Sequence, residues 1–196
     1  SMAETRTVVI TGASRGLGLS TVAHLHRQGW TVLAAMRTVD AGLARAREVL
    51  GRDYDPDRLI GIPLDLLDPS SIERAGALIL DAVGVPDGVV HNAGGAGVGC
   101  VEEMPISVMA EMLATNYLGP IRLTRELLPA MRREGRGRFV VVSSESGLRG
   151  MPGLSSYGAS KSALDRWSES LAADIAPFGL GVTVLRVSDL PDDQDV

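Results

Sequence analysis

The single lysine of this chain, Lys161, stands four residues after a tyrosine in Ser155-Ser156-Tyr157-Gly158-Ala159-Ser160-Lys161, whereas arginine is used at eighteen positions. Arginine presents a planar fork; lysine is a compact point charge on a flexible stem. On a helix, positions i and i+4 share a face, so a phenol and an ammonium at this spacing point into the same space. An ammonium beside a phenol favours the phenolate. Bringing a phenol from about 10 to near neutrality takes roughly 3 units, or about 4 kcal/mol. A phenol so placed is a usable general acid. With three tyrosines in the chain, chance puts the only lysine at this spacing about 2% of the time, so the pair is worth reading as chemistry.

A second group of residues suits a phosphate. Thr11-Gly12-Ala13-Ser14-Arg15-Gly16-Leu17-Gly18 follows a β-branched run and precedes a helical pattern. Gly12 suits a tight turn, Gly16 admits close approach of a pyrophosphate, and Gly18 lets helix and strand pack closely. The free N–H groups and the dipole of the following helix favour the phosphate charge. The next strand pattern ends in Ala34-Ala35-Met36-Arg37. An acidic residue there would accept from a ribose 2′-hydroxyl, whereas a nearby arginine suits a 2′-phosphate. Met36 takes the slot of the acid, and Arg15 adds a second cation. NADP(H) is therefore expected rather than NAD(H).

The elements that must position these groups follow from alternation along the chain. Strands are expected at Thr7–Thr11, Thr31–Met36, Leu59–Pro63, Gly88–His91, 138–143 and Gly181–Val187. Helices are expected at 16–28, 41–50, 70–83, 105–133 and 155–176. Runs such as Val140-Val141-Val142 are apolar without alternation, as in a sheet buried on both faces. Strand–helix alternation implies right-handed crossovers and an α/β, doubly wound parallel sheet of Rossmann type in one domain, residues 1–187. Residues 188–196 are acidic, lack a core pattern and are expected to form a solvated tail.

Composition narrows the function further. A net charge of −5 argues against a nucleic-acid partner. Arg132, Arg133, Arg136 and Arg138 are expected to be a solvated helix end and turn. One cysteine, Cys100, permits no internal disulfide and no metal constellation, which fits the cytoplasm. No run is apolar and long enough to span a bilayer. His91 is expected in or near the core, and His24 and His26 lack partners for a metal.

Taken together these motifs resemble the short-chain dehydrogenase/reductase family, in its classical branch, from about Thr7 to Val187. The glycine loop matches the family's Thr-Gly-x-x-x-Gly-x-Gly pattern. Asp65 and Leu66 match the residues that contact the adenine. Asn92, Ala93 and Gly94 match the motif that supports the sheet and borders the cofactor. Asn116, Ser144, Tyr157 and Lys161 match the catalytic set. The resemblance implies hydride transfer between NADP(H) and a small-molecule carbonyl or alcohol. It gives Tyr157 as proton donor, Lys161 on the nicotinamide ribose, Ser144 orienting the substrate oxygen and Asn116 in a proton relay. It also implies a homodimer or homotetramer through the two long helices.

Two of these residues have a local reading as well. Ser144 follows an apolar strand at the edge where ligands bind such sheets; a plain strand-end cap is the alternative. Asn116 sits in a helical pattern it disfavours. Either its side chain or a backbone carbonyl nearby holds a water, or it is satisfied by local backbone bonds. The family pattern departs after Val187, where Ser188-Asp189-Leu190-Pro191 stands in place of a Pro-Gly turn, a lid helix and a seventh strand. A C-terminally shortened domain is expected, with the sixth strand as an open edge. The competing function is a dinucleotide-binding structural or regulatory protein without redox turnover.

Overall fold

The computed structural model describes residues 4–188. Six parallel strands form one sheet in the order β3-β2-β1-β4-β5-β6. They are β1 (Thr7–Thr11), β2 (Thr31–Met36), β3 (Leu59–Pro63), β4 (Gly88–His91), β5 (Arg138–Ser144) and β6 (Gly181–Val187). The helices are α1 (Gly16–Arg27), α2 (Val39–Leu50), α3 (Pro69–Val83), α4 (Ile106–Leu113), α5 (Gly119–Glu134) and α6 (Ser155–Ile175). The doubly wound Rossmann-type sheet expected from the alternation is present as a single domain. The acidic stretch from residue 189 onward lies outside the described residues.

Alternation within each strand explains why the sheet is covered twice. Val9, Leu33 and Ala35 point to a core built with Ile72, Ala75 and Ile79 of α3, Leu123 and Leu127 of α5, and Ile175 of α6. Val8, Ile10, Val32 and Ala34 point the other way, onto Val22 and Ala23 of α1 and Ala46 of α2. Both periods of the strand are apolar because both faces are buried. Local chemistry sets the ends. Asp68 accepts from the Ser70 N–H at 2.9 Å with Pro69 at the first helical position, so α3 starts one residue before the expected bound.

Two boundaries matter for function. The helix expected over 105–133 is two helices separated by a π turn, Ala114–Leu118, that contains Asn116. A π turn shifts hydrogen bonding from i+4 to i+5, and periodicity of apolar residues does not report that change. Strand β5 also runs through Ser144, whose backbone is in register with Val187 of β6.

His91 is buried, as expected, and the arginine cluster is exposed. The His91 ring stacks on Phe139 with ring centroids 6.0 Å apart and shares a 2.8 Å hydrogen bond with Thr124 Oγ1. Burial lowers its pKa to about 4. It stays neutral in the fold while the unfolded chain takes up a proton below about 6.5, so its contribution is present at neutral pH and lost as pH falls from 6.5 towards 4. Wild type is expected to lose about 2 kcal/mol at this site between pH 7 and pH 5. Urea unfolding at the two pH values should show that part of the slope missing in His91→Gln. An equal slope in both proteins would refute it. Among the arginines, Arg136 pairs with Asp87 at 2.8 Å and Glu134 at 3.0 Å, and Arg132 lies 4.4 Å over the Phe178 ring.

Candidate functional site

The chain moves outward from β1 to β2 and β3, then returns to the other side of β1 with β4. That reversal opens a crevice at the carboxyl ends of β1 and β4, where ligands bind such sheets. Gly12 lies there with φ +61°, and a Cβ on it would come 2.8 Å from Ala93 Cα. Gly18 is pressed against the Gly12 carbonyl and Asn92. Gly16, at the start of α1 with φ +54°, has nothing within 4 Å of its Cβ position. The three glycines thus differ: two are packed and one faces open space. Asn92 fastens the loop, donating from Nδ2 to the carbonyls of Thr11 at 3.2 Å and Gly12 at 3.3 Å. Thr11 Oγ1 accepts from the N–H groups of Asn92 and Ala93, both at 3.0 Å.

A cavity of about 530 Å³ extends from this loop. Ser14, Arg15, Gly16 and Arg37 border one part, Asp65 and Leu66 another, and Asn92, Ala93 and Gly94 the inner wall. Arg15 and Arg37 are exposed. Asp65 is held by its own turn: its N–H donates to Ser71 Oγ at 2.9 Å, and its Oδ1 accepts from the Leu67 N–H at 3.0 Å. Leu17 and Gly18, expected at the cofactor from the loop pattern, stand off the cavity wall. Gly18 is taken up by the helix–strand contact, and the Leu17 carbonyl accepts from Thr21 Oγ1 at 2.7 Å. Arg45 of α2 also lines the cavity although no sequence motif marks it; it donates to the Ser14 carbonyl at 3.2 Å. Its spacing from Arg37 carries no signal, because Arg45 reaches the cavity only when α2 packs beside the glycine loop.

Gly94 connects the cavity to the second cluster. A Cβ there would stand 3.1 Å from Lys161 Nζ and 3.2 Å from Asn116 Oδ1. Lys161 is 4% exposed, makes a long 3.5 Å contact with the Val142 carbonyl, and has Nζ 5.9 Å from the centre of the Tyr157 ring. The helical spacing therefore does bring phenol and ammonium onto one face. Burial holds the Lys161 pKa below the ordinary lysine range, with the charge of Asp165 opposing that shift. Ser144, two residues beyond Val142 on β5, accepts from the Ser146 N–H at 3.2 Å. It caps the strand end at the carboxyl edge of the sheet and, like Asn116, Tyr157 and Lys161, lies outside the lining of the cavity itself.

Asn116 is fully buried. Its Oδ1 accepts from the Gly95 N–H at 2.8 Å, and its Nδ2 donates to the Gly95 carbonyl at 2.8 Å and to Ser160 Oγ at 3.0 Å. Ser160 Oγ in turn donates to the Tyr157 carbonyl at 2.7 Å. The side chain thus ties the loop after β4 to the Tyr157 turn of α6, through partners distant in sequence rather than through local backbone bonds.

The chain and its fold have counterparts. A family model described as short chain dehydrogenase matches residues 6–188. The chain belongs to the short-chain dehydrogenase/reductase family. It is 33% identical over 190 residues to an uncharacterized oxidoreductase, YbbO, of Escherichia coli K12, covering 92% of this chain and 64% of that one. A short-chain dehydrogenase from Streptomyces avermitilis superposes with a TM-score of 0.89 at 34% identity, covering 97% of this chain and 68% of the other. An alcohol dehydrogenase from the archaeon Thermococcus sibiricus complexed with 5-hydroxy-NADP gives a TM-score of 0.87 at 27% identity, covering 96% and 78%. The chain therefore spans less than two thirds of the length of the bacterial relative YbbO. Among the described residues no helix is long and apolar enough to cross a membrane, and no group of His, Cys, Asp and Glu is placed to hold a metal.

Proposed function

We propose that this short-chain dehydrogenase/reductase chain carries out NADPH-dependent reduction of a small-molecule carbonyl, or the reverse alcohol oxidation. The observation that carries the reading is the approach of Lys161 and Asn116 to Gly94, a residue of the cavity lining, with the Tyr157 turn joined to them through Ser160 and the Lys161 contact with the Tyr157 ring. The residues fit a nicotinamide dinucleotide. Gly16 leaves open space at the N-terminus of α1, where N–H groups and the helix dipole favour a pyrophosphate. Asp65 and Leu66 border the cavity where an adenine would lie, and Arg15, Arg37 and Arg45 bring positive charge to its rim. When bound, the dinucleotide supplies or accepts the hydride.

The remaining chemistry belongs to the chain. Lys161 holds ribose hydroxyls with its ammonium and favours proton release from the phenol beside it. Tyr157 gives its hydroxyl proton to the carbonyl oxygen as the carbon is reduced. Ser144 Oγ donates a hydrogen bond to the same oxygen and orients it. Asn116 keeps the Gly95 loop against α6, so that the ammonium and the phenol retain their spacing. Its π turn leaves the backbone of 114–118 as the part of the site suited to hold a water for proton resupply. The same reading places the protein in the cytoplasm, as a homodimer or homotetramer joined through the helices α5 and α6.

Calorimetric titration with NADPH, paired with NADPH oxidation over a panel of ketones, aldehydes, quinones and steroids, tests the assignment. Stoichiometric binding with turnover on part of the panel is the expected result. Binding without turnover would assign a dinucleotide-binding protein with no redox activity of its own, and failure to bind either dinucleotide would refute both readings. Arg37 sets the cofactor choice: Arg37→Asp should weaken NADPH binding about tenfold relative to NADH, since one charge-assisted bond to an exposed phosphate is worth about 1.4 kcal/mol or more. An unchanged ratio of the two dissociation constants would remove Arg37 from the 2′-phosphate site.

A further inference from the structure

Beneath the Tyr157–Lys161 turn lies a buried carboxylate that the proposed reaction does not use. Asp165 is one helical turn beyond Lys161 on α6, and its side chain is 0% exposed. Neither of its oxygens has a hydrogen-bond partner among the described residues. Its ionic neighbour is Arg186 on β6, whose Nε lies 3.5 Å from Oδ2 and whose side chain is 34% exposed. Arg186 is in register with Ser143 of β5, and Ser143 Oγ is likewise buried without a partner among the described residues. Gly147 lets these groups close up: a Cβ there would stand 3.1 Å from Asp165 Oδ2 and 3.3 Å from Lys161 Cβ.

An isolated buried carboxylate is costly, and a single contact at 3.5 Å offsets only part of that cost. Replacement by an apolar residue would relieve it, so the carboxylate calls for a role. We propose that Asp165 is a positioning residue for Lys161: its carboxylate, restrained by Arg186, keeps the neighbouring side chain in its ammonium form where the site works. Residues i and i+4 of a helix are close neighbours, and their interaction is stronger in a buried setting than in water. No direct ion pair forms between the two, because Nζ reaches instead towards Val142 and Gly94. The effect is that of a fixed charge one turn away. Its sign agrees with the opposition of Asp165 to the lowering of Lys161 by burial. The elements packed on α6 carry few other titratable groups near this turn. These are Glu145 after β5, Arg186 on β6, Tyr117 in the π turn and Glu111 on α4, with both glutamates exposed. On α6 itself Tyr157 is the nearest.

The consequence for turnover rests on the reductase reading, but the charge effect can be read without it. Because Lys161 is the only lysine, isotope-labelled lysine gives one side-chain NMR resonance, whose pH titration reports this ammonium alone. Asp165→Asn should move the titration about one pH unit lower. Arg186→Gln, which removes the opposing positive charge, should move it higher, and Arg186→Lys should restore the wild-type position. A folded Asp165→Asn protein with an unshifted Lys161 would overturn the proposal. If that variant does not fold, Asp165→Leu, which leaves no polar group buried at the position, serves in its place, and an unshifted Lys161 there overturns the proposal. Where turnover is measurable, the basic limb of the kcat/KM profile should follow the NMR shift in Asp165→Asn. A shifted resonance with an unmoved profile would keep the proposal and count against Lys161 acting with Tyr157 in reduction.

Discussion

Tyr157→Phe is expected to lower kcat for carbonyl reduction about a thousandfold while leaving NADPH affinity within about twofold. The substitution removes one hydroxyl and keeps the ring that stands beside Lys161. Proton transfer from a positioned side chain contributes about 10²–10⁴ in rate, so the middle of that range, roughly 4 kcal/mol of barrier, is at stake. Cofactor binding is spared because Lys161 is anchored independently of the phenol, by burial and by its contact with the Val142 carbonyl. Steady-state kinetics and calorimetry on the same preparation separate the two quantities. Undiminished kcat in a variant that binds NADPH normally would show that Tyr157 is not the proton donor and would leave the reductase assignment without its acid.

Gly18→Ala should cost the fold about 1–3 kcal/mol, the range for forcing a methyl group into a packed site, and weaken NADPH binding tenfold or more. Its Cβ would overlap the Gly12 carbonyl oxygen and stand 2.6 Å from Asn92 Nδ2. Backbone on one side and a doubly hydrogen-bonded amide on the other leave little that can give way. Gly16→Ala makes the informative comparison. Nothing lies within 4 Å of its Cβ position, so only the left-handed backbone, φ +54°, opposes it, at about 1 kcal/mol. Its methyl group would instead occupy the space open to a phosphate. Urea unfolding should therefore rank Gly18→Ala as the less stable protein, while calorimetry shows both binding weakly. Equal stability of Gly18→Ala and wild type would mean that the helix–strand contact is not the reason for glycine there.

The strands were legible because their cause is local. Two-sided burial demands unbroken apolar runs, and Val8-Val9-Ile10 and Phe139-Val140-Val141-Val142 display it without reference to any other element. The Tyr157–Lys161 pair was legible for the same reason, since i and i+4 meet on any helix. Asn116 was only half legible. Its poor helix propensity marked it, but the π turn and its bonds to Gly95 and Ser160 require the loop after β4 and helix α6 to arrive from far along the chain. The glycine loop shows a similar division: the pattern marked Leu17 and Gly18 for the cofactor, yet both stand off the cavity wall, while Arg45, which carries no motif, reaches it.

By itself, then, the sequence determined the doubly wound sheet, the glycine loop at its first turn and the pairing of a phenol with the only ammonium. The loop and the pair depend on residue types within one loop or one helical turn, and the sheet on the alternation of strand and helix patterns along the chain. Tertiary structure alone decided that Gly94 would touch Lys161, that Asn116 would join a loop to a helix, and that Arg186 would stand against Asp165. Those contacts join residues 21 to 67 positions apart. They come into being only when parallel strands pair in register and the helices close over them, because a parallel sheet places the ends of distant strands side by side.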